Sequence, residues 1–194
     1  MPNWCRNSIM IPQTHKKAFM RKFTRKQRVR NYLSQDGSKW ELHPASAYMS
    51  YDRIMPMPKR LPDAQVGRWI DDNWGGRLSA YDVDFAIHND CEHSGMFEII
   101  FDTAWVPAGE KLVEEIARRL HCNVEHVFLE ECQDSYGIRE FIFEDGDNHD
   151  EPELFFMQEA EDNEDTFETI VTRFHGYSDY ADELMERYRN GEIQ

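Results

Sequence analysis

The sequence lacks the features that announce most enzyme classes. Its four cysteines, Cys5, Cys91, Cys122 and Cys132, lie far apart and form no CxxC pair, so the spacing encodes neither a disulfide framework nor a two-plus-two zinc site. Dispersed thiols of this kind suit a reduced interior. There is no G-x-S-x-G elbow and no phosphate-cradling glycine loop, which removes the hydrolase and nucleotide-binding classes that those signatures mark. No apolar run approaches the roughly 18 residues of a membrane-spanning helix. The opening Met1-Pro2-Asn3-Trp4-Cys5-Arg6 has no apolar signal stretch, and a cytoplasmic setting is expected. No internal repeat or extended low-complexity tract occurs.

What is present suits a folded, soluble chain. Of 194 residues 40% are apolar, and 12 Phe, 8 Tyr and 5 Trp supply bulky core filling despite a net charge of -15. The charge is divided along the chain. Residues 1–60 carry 13 Lys or Arg against 3 Asp or Glu, whereas residues 61–194 carry 9 against 34. The acidic excess peaks between Glu140 and Glu168, which hold 13 carboxylates and no Lys or Arg. Such asymmetry bears on partners and solubility and leaves the fold open.

Periodicity supplies the elements. Residues 4–11 read as a strand ended by Pro12, after which Thr14 caps a basic amphipathic helix over 14–33 with Ala18, Phe19, Phe23, Val29 and Leu33 on its apolar side. Prolines 44, 56, 58 and 62 make residues 34–62 an irregular connection, followed by a short helix with Val66, Trp69 and Ile70 that Asn73-Trp74-Gly75-Gly76 breaks. Tyr81, Val83, Phe85 and Ile87 alternate with polar residues, as do Phe97, Ile99, Phe101, Thr103 and Trp105, so the two runs pair as an antiparallel hairpin. Pro107 opens a helix with the stripe Leu112, Val113, Ile116, Ala117 and Leu120. Two further strands, Val124–Leu129 and Gly137–Phe143, flank a turn at Asp134-Ser135-Tyr136-Gly137. The expected class is therefore α+β, with a ferredoxin-like antiparallel sheet covered on one face by two helices over residues 1–145. Residues 146–194 form an acidic helical extension, with Phe167, Ile170, Val171 and Phe174 in one helix and Tyr177, Ala181, Leu184, Met185 and Tyr188 at similar spacing in the next.

Three kinds of chemistry are conceivable. Asp82, Asp84 and Asp102 sit on neighbouring strands where carboxylates do acid/base work or hold a metal, and where alternating strands also present their wet face. Cys91 with His93, His121 with Cys122, and the calcium-loop-like run Asp145 to Glu151 lack the ligand spacing of a metal site. The cations Lys16, Lys17, Arg21, Lys22, Arg25, Lys26, Arg28 and Arg30 suit nucleic acid or an acidic partner, the solvated face of a packed helix, or neutralisation of the chain's own acidic segment. The acidic segment carries aromatics among its carboxylates. This pattern favours a folded, partner-facing surface in which Glu153, Phe155, Phe156, Glu159, Glu161, Asp162, Glu164, Asp165 and Phe167 make contact.

Four short motifs occur in a shared order: Met1-Pro2-Asn3-Trp4-Cys5-Arg6-Asn7, Pro56-Met57-Pro58, Asn73-Trp74-Gly75 with Ala80-Tyr81-Asp82, and Thr103-Ala104-Trp105 leading to Pro107. In these the chain resembles the YubB-like or Api-type family of phage and plasmid proteins over about residues 1–145. The resemblance implies a ferredoxin-like domain and carriage on mobile elements, and it carries over no catalytic residue. The sequence departs from the family at Gly76-Arg77-Leu78, at Val106 and Ala108 around Pro107, and in its acidic extension. Trp4, Trp74, Tyr81 and Trp105 are expected to pack as one cluster.

The functional expectation is a non-enzymatic phage or plasmid accessory protein in the cytoplasm of a bacterial host. It would inhibit a defence protein or nucleoprotein complex, of anti-restriction or anti-CRISPR type, by offering carboxylates where DNA phosphates bind. The competing expectation is a nucleic-acid-binding regulator using helix 14–33, and an enzyme working through the three aspartates ranks third. No catalytic residue, cofactor, metal ion or membrane enters this reading, and no feature assigns an oligomeric state.

Overall fold

Alternation of buried and exposed positions builds the central sheet, beginning with β1 (Trp4–Pro12), whose Cys5, Asn7, Ile9 and Ile11 point to one side. The computed structural model describes residues 3–27, 32–33, 40–41, 46–76, 80–88, 94–130, 135–144 and 154–193. After β1 come α1 (Lys16–Phe23), β2 (Thr24–Gln27), β3 (Tyr32–Leu33), β4 (Trp40–Glu41), β5 (Ser46–Met49), α2 (Tyr51–Ile54) and α3 (Asp63–Trp74). The second half contributes β6 (Tyr81–Ile87), β7 (Met96–Ala104), α4 (Glu110–Leu120), β8 (Val124–Glu130), β9 (Tyr136–Glu144), β10 (Leu154–Glu159), α5 (Glu164–His175) and α6 (Asp179–Arg189).

The six-stranded sheet runs β10-β9-β8-β1-β7-β6, with all its neighbours antiparallel. Within it, β1-α1-β6-β7-α4-β8 places its four strands in the spatial order fourth, first, third, second. This is the ferredoxin-like arrangement expected of two split βαβ units, and the fold is α+β. The expected hairpins are present, with Phe85 opposite Ile99 in β6–β7 and Val127 opposite Ile138 in β8–β9.

The two faces bury different cores. On one, Ile9, Ile11, Phe97, Ile99, Phe101, Val124 and Phe141 meet Phe19 and Phe23 of α1, Ile54 of α2, and the stripe Leu112, Val113, Ile116, Ala117 and Leu120 of α4. On the other, Val127 and Leu129 meet Phe167, Ile170, Val171, Leu184 and Met185. Helices thus cover both faces rather than one, because the C-terminal pair has an apolar stripe of its own and β8 carries apolar residues on both sides. Asn163 starts α5 by accepting from the Thr166 amide at 3.0 Å, and Ser178 starts α6 by accepting from that of Ala181 at 3.2 Å. Gly176, at φ +62°, separates the two.

Two elements differ from the sequence expectation. The helix over 14–33 ends at Phe23, where the Thr24 hydroxyl donates to the Met20 carbonyl at 2.6 Å and the Arg53 guanidinium donates to the carbonyls of Arg21 and Thr24. Thr24–Gln27 then pairs with Ser46–Met49 as strand, and residues 28–31, with Val29, lie outside the described residues. The basic face is helical in pattern, but tertiary donors satisfy the last carbonyls and release the chain. The second difference is β10. Leu154 pairs with Glu144 and Glu159 with Arg139, so the region after 145 adds a strand to the sheet as well as two helices. The expected boundary falls in 145–153, outside the described residues.

Candidate interaction surface

The acidic shoulder is built by β10, α5 and α6. Glu159, Glu161, Asp162, Glu164 and Asp165 are all exposed, as the sequence predicts, but they do different work. Glu159 accepts from Arg139 at 2.7 Å, Asp162 accepts the Tyr136 hydroxyl at 2.5 Å, and Glu164 accepts from Arg189 at 2.5 Å. Burial and that bond to Asp162 raise the proton affinity of the Tyr136 hydroxyl above its ordinary value. Glu161 lies just ahead of α5, Asp165 and Glu168 extend the surface along it, and Asp179, Asp182, Glu183 and Glu186 carry it over α6. Arg189 near the end of α6 pairs with Glu164 at the start of α5, and that bond, with Glu168 and Asp182, favours its charged form. Glu164 and Asp165 occupy the first turn of α5, where the helix dipole favours negative charge.

Of the aromatics expected to face a partner, Phe167 does not. It is fully buried, stacked on Tyr188 at 4.5 Å and edge-on to Tyr136 at 4.8 Å, because its place in the α5 stripe turns it toward the sheet. Glu153 lies outside the described residues, and Phe155 and Phe156 are described only as members of β10. A shallow cleft of about 320 Å³ between β9, the end of β10 and α5 is lined by Phe128, Gly137, Arg139, Glu159, Asp162 and Thr166 among others.

The described cations of the basic segment have separate surroundings. Lys16 lies over the Phe97 ring at 5.2 Å, Lys22 donates to the Arg119 carbonyl at 2.7 Å, and Arg25 pairs with Asp52 at 2.9 Å. Lys17 and Arg21 are exposed on α1. Arg28 and Arg30 lie outside the described residues, and Lys26 is described only as part of β2.

The other candidates are dispersed. Asp84 is exposed and accepts from the adjacent Phe85 amide at 2.8 Å, Asp102 stands opposite Arg6, and Asp82 is described only within β6. His121 is the left-handed cap of α4 at φ +55°, whereas Cys122 is buried and its thiol pKa is pushed up to about 12 by burial. Cys91, His93 and the run 145–151 lie outside the described residues. Among the described residues, no three His, Cys, Asp or Glu side chains converge as metal ligands.

A buried polar network, invisible to periodicity, joins the sequence motifs. The Asn7 amide donates to the Cys5 carbonyl at 2.8 Å and to the Thr103 hydroxyl at 2.9 Å, while its oxygen accepts from the Ala108 amide at 2.9 Å. The Thr103 hydroxyl in turn donates to the Val106 carbonyl at 2.6 Å. Nearby, the Gly109 amide donates to the Trp74 carbonyl at 2.9 Å, and a Cβ on Gly75 would stand 2.5 Å from the Gly109 nitrogen. These contacts pin the loop 105–109, in which Trp105 has φ +68° and is 57% exposed. A bulky residue in that region costs about 1–3 kcal/mol, which the pinned surroundings offset. Trp74 packs instead against Tyr51 and Trp69, with ring centroids at 6.1 and 5.3 Å. Trp105 is 57% exposed and Trp4 36%, and because Tyr81 is described only within β6, the expected four-member cluster lies partly outside the described residues.

A second buried polar line crosses the opposite face. Glu98 accepts the Ser8 hydroxyl at 2.5 Å and bonds His88 Nε2 at 2.7 Å. Strand alternation marks Glu98 as a solvent-facing position, and only its cross-strand neighbours reveal its burial.

No curated protein matches the chain. The crystal structure of protein api92 from Yersinia pseudotuberculosis aligns with 72% of this chain and 94% of its own, at 8% identity and a TM-score of 0.46. Residues 80–171, from the start of β6 into α5, match the family model described as the ferredoxin-like domain in Api92-like protein.

Proposed function

We propose that the chain is a non-enzymatic binding protein, an accessory protein of phage or plasmid origin. Its α5–α6 shoulder would occupy the cationic nucleic-acid site of a bacterial defence protein of the restriction or CRISPR class. The observation that carries this reading is the one-sided charge of the shoulder. Glu161, Asp165, Glu168, Asp179, Asp182, Glu183 and Glu186 are exposed, whereas Arg173, Arg187 and Arg189 are engaged with Glu125, Glu192 and Glu164. Such a field repels free DNA and speeds encounter with a basic cleft. The helices hold the carboxylates at set spacings, so they need little ordering on binding.

The test is association kinetics with a purified restriction or CRISPR effector. Converting Glu161, Asp165, Glu168, Asp182 and Glu183 to amides keeps the hydrogen bonds from Arg139 to Glu159, from Tyr136 to Asp162 and from Arg189 to Glu164. It should slow association on the order of tenfold at low salt while lowering the melting temperature by no more than a few degrees, from the loss of the first-turn charges of Asp165 and Asp182. Added salt should mimic the change, and nucleic acid already bound to the effector should block the wild type. An unchanged association rate, or equal binding to a nucleic-acid-filled effector, would sink the proposal. Salt-sensitive binding to free DNA that Lys17→Glu with Arg21→Glu abolishes would instead favour the regulator, for which the exposure of those two cations on α1 speaks.

A further inference from the structure

The molecule carries a second pole of charge, opposite in sign to the shoulder and on the other face of the sheet. Lys17 and Arg21 are exposed on the side of α1 away from its buried Phe19 and Phe23, so they project outward from the sheet. Beside them Arg53 donates to the Arg21 carbonyl at 2.9 Å, Arg119 to the carbonyls of Arg53 and Ile54 at 2.7 and 2.6 Å, and Lys22 to that of Arg119 at 2.7 Å. Carbonyls are neutral, so these three cations keep their charge, and the helix ends that supply the acceptors offset only part of it. Of the carboxylates on α1, α2 and α4, Asp52 pairs with Arg25, Glu114 pairs with Arg118, and Glu110 stands in the first turn of α4, at the other end from Arg119. Glu115 is left against Lys17, Arg21, Lys22, Arg53 and Arg119.

The shoulder answers this corner in sign and in helical spacing. Asp179, Asp182, Glu183 and Glu186 are exposed at i, i+3, i+4 and i+7 of α6, opposite its buried Ala181, Leu184 and Met185, and so form one outward stripe. The three arginines of α5 and α6 pair with Glu125, Glu192 and Glu164, all outside the stripe, and of its members Asp182 alone is recorded as feeling one of them, Arg189. We propose that copies of this chain stack head to tail, with the α6 stripe of one on the cationic corner of the next. Because α1 and α6 cover opposite faces of the sheet, the contact is heterologous: a pair keeps one open pole at each end, and the row grows. The net charge of -15 opposes stacking at long range. At about 0.1 M salt, however, the screening length of about 10 Å is shorter than the three layers of this fold, so the touching poles outweigh the distant charge. A row covers the stripe, and stacking therefore competes with any target of the shoulder.

Sedimentation velocity of the full-length protein over a wide range of concentration reads the row directly. The average sedimentation coefficient should climb with concentration at about 0.1 M salt, climb less at about 0.01 M, where a screening length of about 30 Å lets the whole charge repel, and stay at the monomer value at about 1 M. Lys17→Gln with Arg21→Gln removes the outermost charges of the corner, and Asp182→Asn with Glu183→Gln removes those of the stripe. Each pair of exposed substitutions should weaken self-association on the order of tenfold and melt within a few degrees of the wild type. An equal mixture of the two variants offers one intact stripe and one intact corner, and should stop at pairs. A wild type that stays monomeric at about 0.1 M salt, association that strengthens toward about 1 M, a closed dimer that does not grow, folded variants that associate like the wild type, or a mixture that fails to pair would each overturn the proposal. So would a monomer whose corner binds a thymidine oligonucleotide unless Lys17 and Arg21 are replaced. The proposal needs no defence protein: effector binding by a protein that never stacks overturns stacking alone, and stacking by a protein that binds no effector overturns only the reading of the shoulder as an inhibitor.

Discussion

At the scale of single residues, Asn7 and His126 show how a buried polar group is made tolerable. Asn7 uses both amide protons and its oxygen, and His126 Nε2 lies 3.1 Å from that oxygen. Because an oxygen can only accept, the ring must carry its proton on Nε2, which leaves the buried Nδ1 without a partner among the described residues. Burial, reinforced by Arg139, holds the His126 pKa down to about 3. The consequence for stability has a definite sign. Below the ordinary histidine value near 6.5 the unfolded chain gains a proton that the folded chain refuses. Stability should therefore fall as pH drops from about 6.5 toward 3, by up to about 1.4 kcal/mol per pH unit from this group alone. Denaturant melts between pH 7 and pH 4 on the wild type and His126→Gln measure the slope. A variant with the same slope as the wild type would remove His126 as its source.

At the scale of elements, the C-terminal helices are held by a small core with an aromatic centre. Phe167 stacks on Tyr188 of α6 and meets Tyr136 of β9 edge-on, and Ile170, Val171 and Leu184 complete the contact. Phe167→Ala should cost about 3–5 kcal/mol, the usual range for a large buried aromatic. Calorimetry would report that loss, and a melting temperature within a degree or two of wild type would mean the helix pair adds little to the global transition. The same elements show where local pattern misleads. The cationic face 14–33 has helical spacing throughout, yet Arg53 and β5 claim the chain after Phe23. The stripe of α4 has no such competitor, and every one of its five predicted core residues is buried.

At the scale of the whole molecule, the two faces of the sheet divide the labour. One carries the large core under α1, α2 and α4, while the other is closed over β8 and β9 by α5 and α6. A chain cut after Glu159 would uncover Val127, Leu129, Tyr136 and Ile138 and should aggregate or bind a hydrophobic dye, as sedimentation and dye fluorescence would reveal. A monodisperse, dye-silent fragment would show instead that residues before α5 form a self-sufficient unit. The stripe of α4, the inward residues Phe97, Ile99 and Phe101 of β7, and Val83 and Phe85 of β6 are legible in the sequence, because periods of 2 and 3.6 are local consequences of backbone geometry, whereas Ile87, on the same expected face of β6, is exposed. Charge segregation and the exposure of the α5 carboxylates are legible for the same reason: a helical stripe that buries Phe167 and Ile170 turns Asp165 and Glu168 to water. Only the tertiary structure decided that β1 lies between β7 and β8, that Glu98 is buried against Ser8 and His88, and that Asn3, Asn7, Thr103 and Gly75 meet around the Trp105 loop. Those contacts join residues as many as about a hundred positions apart, and no local period records which strand edge or which buried acceptor a distant segment will find.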